Sequence, residues 1–169
     1  MQESYNDWMR AALVALLLSS TVAAQQSPNL TFRGQQRPKH AQVAATPPDV
    51  AVKAGTKAML FVDVTPNPSI HVYAPGTRDF IPITVKFDPQ AGLKLGKLTY
   101  PKSETMTFAD EKVPVFQKPF RLTQEITLQD DLKAGTSVPV KATVDFQACD
   151  DKVCYPPESA QVSWTLTVK

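Results

Sequence analysis

Cysteine is almost missing from this chain: Cys149 and Cys154 are the only two in 169 residues. With no second cysteine pair and no paired histidine, a closed zinc site has too few ligands. Histidine is as scarce, at His40 and His71 alone. There is no Gly-rich phosphate loop, no serine elbow and no histidine-based nucleophile arrangement, so hydrolytic and phosphoryl-transfer chemistry has nothing to carry it. An excess of one charge is also absent: the formal net charge is only +2, with both signs mixed along the chain. Without a basic stripe or an interleaved aromatic platform, nucleic acid (DNA or RNA) is not expected as a partner. No stretch after residue 25 shows a 3.6-residue apolar period, which argues against a helical domain.

Long hydrophobic runs are missing too, with one exception near the start. Arg10 is followed by an uncharged run from Ala11 to Ala24 that ends in Val22-Ala23-Ala24. About 14 apolar residues are too few to span a bilayer core, and the small residues at the end suit a signal-peptidase site. Residues 1–24 are therefore expected to be a cleaved signal peptide, with Met9 as the expected natural start because Glu3 and Asp7 are unusual in the charged head of such a segment. No cysteine follows the run to accept a lipid anchor. Residues 25–47, rich in Gln, Pro and Ala, read as a flexible linker in which His40 is a solvated surface residue and Asn29-Leu30-Thr31 a sequon of little meaning. The rest, residues 48–169, reads as one domain, expected to be soluble and outside the cytoplasm.

What is plentiful is period-2 alternation. Leu60, Val62 and Val64 share one parity; so do Ile81, Ile83, Val85 and Phe87; so do Phe120, Leu122, Ile126 and Leu128. Val138 to Ala148 and Val162 to Val168 alternate over their whole lengths, and Leu93, Leu95, Leu98 and Tyr100 do so with a register shift near Gly96. About seven such runs, separated by turn signals in a chain with 15 prolines, predict an all-β fold: an immunoglobulin-like antiparallel β-sandwich. Trp164 is assigned to its core.

The two cysteines fall between the last two runs, in "VDFQACDDKVCYPPESAQVSW" (144–164). Four residues separate them, which allows an antiparallel turn with the sulfurs facing each other, and export to an oxidising compartment favours a disulfide. Strand parity puts Cys149 with Gln147 and Asp145, on the polar face, so a sulfur is expected at the surface. Three readings stay open on these features: a working redox pair, a structural staple, and a metal site with His71 or a methionine as further ligand. So small a ring gains less loop entropy than a bridge between distant strands, which leans away from the staple. Asp150 and Asp151 beside the sulfurs disfavour thiolate, which points to a reductant rather than an oxidant.

The segment "FQACDDKVCYPPE" (146–158) resembles the active-site segment of the N-terminal periplasmic domain of the thiol:disulfide interchange protein DsbD: an aromatic-Gln-small-Cys start, a short acidic loop, then Cys-Tyr-Pro-Pro-Glu. A looser resemblance covers about residues 48–169, with "IHVYAPG" matching a strand that ends in Tyr and "YPKSETMTFADEKVPVF" (100–116) matching the family's cap-loop segment. The resemblance implies an immunoglobulin-like sandwich with no cofactor and no metal. It implies that Cys149 and Cys154 are the redox pair, Cys154 forming a mixed disulfide with a partner and Cys149 resolving it. Phe108 is implied as the cap aromatic and Tyr73 as an aromatic near the site; Gln147, Tyr155, Asp150 and Asp151 are carried along as site-lining residues. Some members have five residues between the cysteines, and some have an acidic pair before the cap aromatic, where this chain has Met106 and Thr107.

The implied activity is a periplasmic protein-disulfide reductase that relays electrons to thioredoxin-fold proteins, of disulfide isomerase or cytochrome c maturation type. Because the resemblance covers one domain, the membrane electron donor is expected to be a separate protein, and the chain itself a monomer. The alternative is a binding or adaptor sandwich whose disulfide is inert and only stiffens a hairpin.

Overall fold

A computed structural model describes residues 38–47, 49–108 and 111–169. The expected signal peptide, and most of the expected linker, lie outside the described residues. The described part is all β. Three four-stranded sheets are formed: β1 (Ala41–Ala45), β3 (Lys57–Pro66), β9 (Phe120–Leu128) and β6 (Leu93–Thr99); β2 (Asp49–Val52), β12 (Glu158–Val168), β10 (Ser137–Phe146) and β5 (Thr84–Phe87); β11 (Ala148–Cys149), β4 (His71–Tyr73), β8 (Glu111–Phe116) and β7 (Glu104–Phe108), each in that spatial order. The pairings are antiparallel except that of β2 with β12, which is parallel.

The first two sheets face each other across the main core. Leu60, Val62 and Val64 of β3 and Leu122, Ile126 and Leu128 of β9 meet Val138, Val140, Ala142, Val144 and Phe146 of β10 and Val162, Trp164, Leu166 and Val168 of β12. Those positions alternate with exposed or half-buried neighbours along each strand, as the period-2 pattern requires when one face is packed and the other wet. Trp164 is buried and stacks on Phe87 at 5.8 Å between centroids. On the wet face of β3 and β9, Asp63 and Arg121 are register partners joined by two hydrogen bonds of 2.6 and 2.7 Å, with the guanidinium 4.8 Å from the centre of the Phe61 ring.

The register shift expected near Gly96 is a break in the β6–β9 ladder between Leu95 and Leu98. Gln124, the one polar residue on the inward parity of β9, is buried there and donates to the carbonyls of Gly96 (2.9 Å) and Glu125 (2.7 Å). The bulge leaves a carbonyl without a ladder partner, and the buried amide satisfies it. A Cβ on Gly96 would stand 3.1 Å from Cβ of Glu125, tighter than ordinary van der Waals contact, so a side chain there would push Glu125 aside.

The domain begins earlier than the sequence pattern implies. Ala41–Ala45, inside the expected linker, pair with Val62–Pro66 as an edge strand. Its inward residues, Ala41, Val43 and Ala45, are small, so the run carries little hydrophobic signal. The strand is held by ladder hydrogen bonds and by packing on a core built elsewhere. Four strands, β1, β2, β7 and β8, have no counterpart among the apolar runs read from sequence. Ile81, placed by parity on an inward face, is instead exposed, because β5 starts only at Thr84.

Leu122 lies fully buried at the centre of the main core. Leu122→Ala is expected to cost about 2–5 kcal/mol, read as a lowered denaturation midpoint with an unchanged m-value.

Candidate active site

The chain changes sheets at Gln147. β10 ends at Phe146 in the second sheet, and after one residue β11 begins in the third, where Ala148 pairs with Val72 and Cys149 with His71. Ala148 and Val72 belong to the main core. Alternation then sends Cys149 to the opposite face, as its parity predicts. That face is not wet here. Cys149 is only 1% exposed and forms a second apolar cluster with Tyr73, Val113 and Val115, with Phe80 and Met106 packed against it. The face is the one parity assigns, but it is covered, because a strand that has left the sandwich can have both faces packed. Cys154 is the exposed member of the pair, as the expectation of a surface cysteine requires.

Phe80 covers the site because of how its loop is pinned. Ala74 donates to the Pro114 carbonyl at 2.9 Å, Gly76 adopts φ +103°, which glycine takes without strain, and Ile83 donates to the Tyr73 carbonyl at 2.8 Å. Ile83 is fully buried in the main core and anchors the returning chain. Between these pins Phe80 stacks on Tyr73 at 4.2 Å with the rings 10° apart. Phe108, at the end of β7, meets Phe80 edge-on at 5.8 Å and is 37% exposed. Phe108 thus reaches the site through Phe80, a residue that sequence reading did not single out: "RDFIP" reads as the start of a strand and carries no sign of a cover.

Cys149 and Cys154 are disulfide-bonded, with Cα atoms 4.1 Å apart. The hydroxyl of Tyr73 lies 3.5 Å from Sγ of Cys154. A bridged sulfur has no proton, so the hydroxyl donates. Burial holds the Tyr73 hydroxyl above the usual phenol range, which keeps that proton in place at neutral pH.

The acidic loop is a turn built by Asp150. One carboxylate oxygen accepts from the backbone N–H groups of Lys152 and Val153, both at 2.7 Å; the other accepts from the Tyr155 hydroxyl at 2.7 Å. The backbone closes the turn by Asp150 N–H to Val153 carbonyl (3.0 Å) and Tyr155 N–H to Ala148 carbonyl (2.9 Å). The Tyr155 hydrogen bond, then the two N–H groups, hold the Asp150 carboxyl below the ordinary carboxylate range. Asp150 is thus spent on shaping the loop, while Asp151 lies exposed on the turn. Gln147 braces the corner, donating to the Tyr155 carbonyl (3.2 Å) and accepting from the Ile81 N–H (3.3 Å).

His40, read as a solvated linker residue, belongs to the same frame. Its ring stacks on Tyr155 at 3.8 Å and pairs through Nδ1 with the Glu158 carboxylate, which also accepts from the backbone N–H groups of Lys39 and His40. Period-2 reading could not find it, because the contact spans 118 residues of sequence.

The structure thus gathers Cys149, Cys154, Tyr73, Gln147, Asp150 and Tyr155 into one place, brings Phe108 to its margin, and leaves Asp151 exposed. Among the described residues, no group of three or more His, Cys, Asp or Glu is arranged to hold a metal ion.

A family model described as thiol:disulfide interchange protein DsbD, N-terminal, matches residues 40–166. Among solved structures, the chain is similar to the N-terminal periplasmic domain of ScsB from Proteus mirabilis, with a TM-score of 0.51 and 14% identity over 78% of this chain and 47% of that one. It therefore spans about half of that solved chain. The major pilin subunit BcpA of Bacillus cereus, as its D312A variant, aligns with a TM-score of 0.47 and 8% identity over 77% of this chain and 41% of that one. At these identities the ScsB likeness shows the fold alone. No curated protein matches the chain.

Asp150→Ala removes the acceptor for two loop amides and for Tyr155. Hydrogen exchange at Lys152 and Val153 is expected to quicken by on the order of tenfold, the effect of one ordinary hydrogen bond. In the unmutated chain the same loosening is expected at acid pH. A carboxyl depressed on folding contributes above its unfolded value, near 3.8, and its contribution is lost as pH falls through the lower folded value.

Proposed function

This chain belongs to the family of DsbD N-terminal domains, and from that membership we propose that it is a periplasmic thiol–disulfide carrier working through Cys149 and Cys154. It relays reducing equivalents to thioredoxin-fold proteins of disulfide isomerase or cytochrome c maturation type, and draws them from a membrane-embedded donor. The observation that carries this reading is the asymmetry of the pair. One residue, Cys154, is exposed and its sulfur accepts a hydrogen bond from Tyr73; the other, Cys149, is buried beneath aromatic rings. Attack by a partner needs one accessible sulfur and a second held in reserve.

In the reduced chain, the Cys154 thiolate attacks a disulfide sulfur of the partner. A Cys154–partner bond forms and the partner's other sulfur leaves as a thiolate. The Cys149 thiolate then attacks Sγ of Cys154, the intramolecular disulfide forms, and the partner departs with both sulfurs reduced. Two electrons pass from this chain to the partner. Recharging runs the same bonds in reverse, with the donor's thiolate attacking Cys154. The edge-on contact of Phe108 with Phe80 and the stack of Phe80 on Tyr73 support a cover role for Phe108: small thiols meet apolar rings around the disulfide, and a matched partner displaces them.

The domain boundaries follow the same reading. Residues 1–24 serve as the cleaved signal peptide, and the exchange domain runs from about residue 40, where the family match begins.

Cys149→Ser is expected to trap a covalent complex with a thioredoxin-fold protein in periplasmic extracts, and Cys154→Ser to trap none. Equal trapping by both, or none by a folded Cys149→Ser chain, would sink the assignment. An inert staple would also show a reduction potential below about −300 mV, measured by thiol labelling against a thioredoxin-type couple. For the cover, Phe80→Ala is expected to quicken reduction of the disulfide by dithiothreitol by roughly three- to tenfold, matching the ~0.5–1.5 kcal/mol of an aromatic pair. Phe108→Ala should do less, because the ring that Phe108 meets is Phe80, at 5.8 Å. An unchanged rate in both variants would remove the cover role.

A further inference from the structure

His71 is the buried titratable group that this exchange scheme leaves unused. It is 2% exposed, and its Nε2 is buried with no hydrogen-bond partner. A buried polar atom left unpaired costs stability, and its retention asks for a use. His71 is the direct cross-strand partner of Cys149 in the β4–β11 ladder. Side chains directly opposite in an antiparallel pair share a face, with Cβ atoms about 4.5–5.5 Å apart. Two residues along the same face stands Tyr73, whose ring meets His71 edge-on at 5.4 Å and whose hydroxyl serves Cys154. Each cysteine therefore has its own polar neighbour: a phenol hydrogen-bonded to Cys154, and an imidazole across the ladder from Cys149.

We propose that His71 is the proton acceptor for Cys149 in the resolving step. The inference rests on the exchange reading above and adds the group that makes its second half run. Once the disulfide is reduced, Cys149 sits among Tyr73, Val113 and Val115, an apolar setting that disfavours a thiolate. Yet only the thiolate attacks. The Cys149 S–H proton passes to the imidazole, the sulfur's electron pair forms the bond to Sγ of Cys154, and the Cys154–partner bond breaks with its electrons leaving on the partner's sulfur. His71 then gives the proton to solvent water. In the recharging direction Cys149 leaves as a thiolate, and the ring takes a proton from solvent water and passes it to that sulfur.

The charges around His71 agree with this role. Burial holds its pKa below the ordinary histidine value, so the ring is neutral and free to accept at neutral pH; Asp151 and Asp150, on the loop after β11, act against that shift and would steady the imidazolium once formed. Tyr73 on its own strand keeps its proton. On β8, the other neighbour of β4, Val115 and Phe116 stand opposite Tyr73 and Val72, and neither titrates.

The test uses the reduced full chain and one equivalent of an aromatic disulfide reagent, dithiobis-nitrobenzoate, which releases a coloured thiolate twice. The first release reports attack by Cys154 and the second reports resolution by Cys149. In His71→Gln, and in His71→Tyr as a bulkier aromatic alternative should the first fail to fold, the first release is expected to stay within about twofold of the unmutated chain. The second is expected to slow by on the order of a hundredfold, the lower range of general-base assistance. In the unmutated chain the second release should fall as pH drops below the ordinary histidine range; the variants should lack that fall. Equal second-phase rates and pH profiles in variant and unmutated chain would overturn the role of His71 while leaving the exchange reading intact. Absence of a second release from the unmutated chain would sink both. One readout needs no variant: the ring-nitrogen shifts of His71 by NMR should change between the oxidised and reduced states, and identical shifts count against the proposal.

Discussion

A β-strand has two faces, and at Ala148 and Cys149 both are covered. One face closes the main core through Ala148; the other meets Tyr73, Val113 and Val115. The rest of the site depends on this constraint. It buries one residue of a pair whose partner, five residues further on, is exposed, and so makes two chemically identical residues unequal. It places Cys149 opposite His71 and near Tyr73, because ladder register, not sequence proximity, decides cross-strand neighbours. It also gives the 74–83 loop an apolar floor, so Phe80 has a ring to stack on rather than water to avoid.

The loop between the cysteines is held from several sides by ordinary means. Asp150 folds it with its carboxylate, Tyr155 ties that carboxylate from beyond Cys154, and Gln147 binds the carbonyl of Tyr155 from before Cys149. His40, from the edge before β1, stacks on the far side of Tyr155 and is fixed by Glu158. A small ring that is broken and remade in use benefits from such a frame: the backbone on either side stays in place when the sulfur–sulfur bond opens, so the resolving sulfur remains within reach.

Legibility in the sequence followed one rule. Where a strand has one wet face and one packed face, alternation reveals it, and β3, β9, β10 and β12 were readable almost residue by residue. The bulge near Gly96 was readable as a break in the same alternation. Where that condition fails, the pattern goes silent or misleads. β1 is packed with alanine and valine too small to stand out. His71-Val72-Tyr73 is buried throughout, which alternation cannot express. Cys149 was assigned the right face and the wrong environment, since parity reports which side a residue takes and not what lies there. Phe80 acts as a cover only because a loop anchored at Ala74 and Ile83 folds back over Tyr73, and no local pattern encodes that return. His40 looked like linker because its partners, Tyr155 and Glu158, lie more than a hundred residues away.

By itself the sequence determined the all-β class, the inward residues of the long strands, the isolation of a single cysteine pair and, through the segment around it, the family. These are local properties: period-2 alternation records one-sided burial, and a short loop with two cysteines is its own signature. Only the tertiary structure decided which cysteine is exposed, which rings cover the other, and that a histidine with an unpaired ring nitrogen stands across from it. Those are relations between strands distant in the chain, set when β10 crosses into the third sheet at Gln147, and a one-residue change of face there reassigns every neighbour.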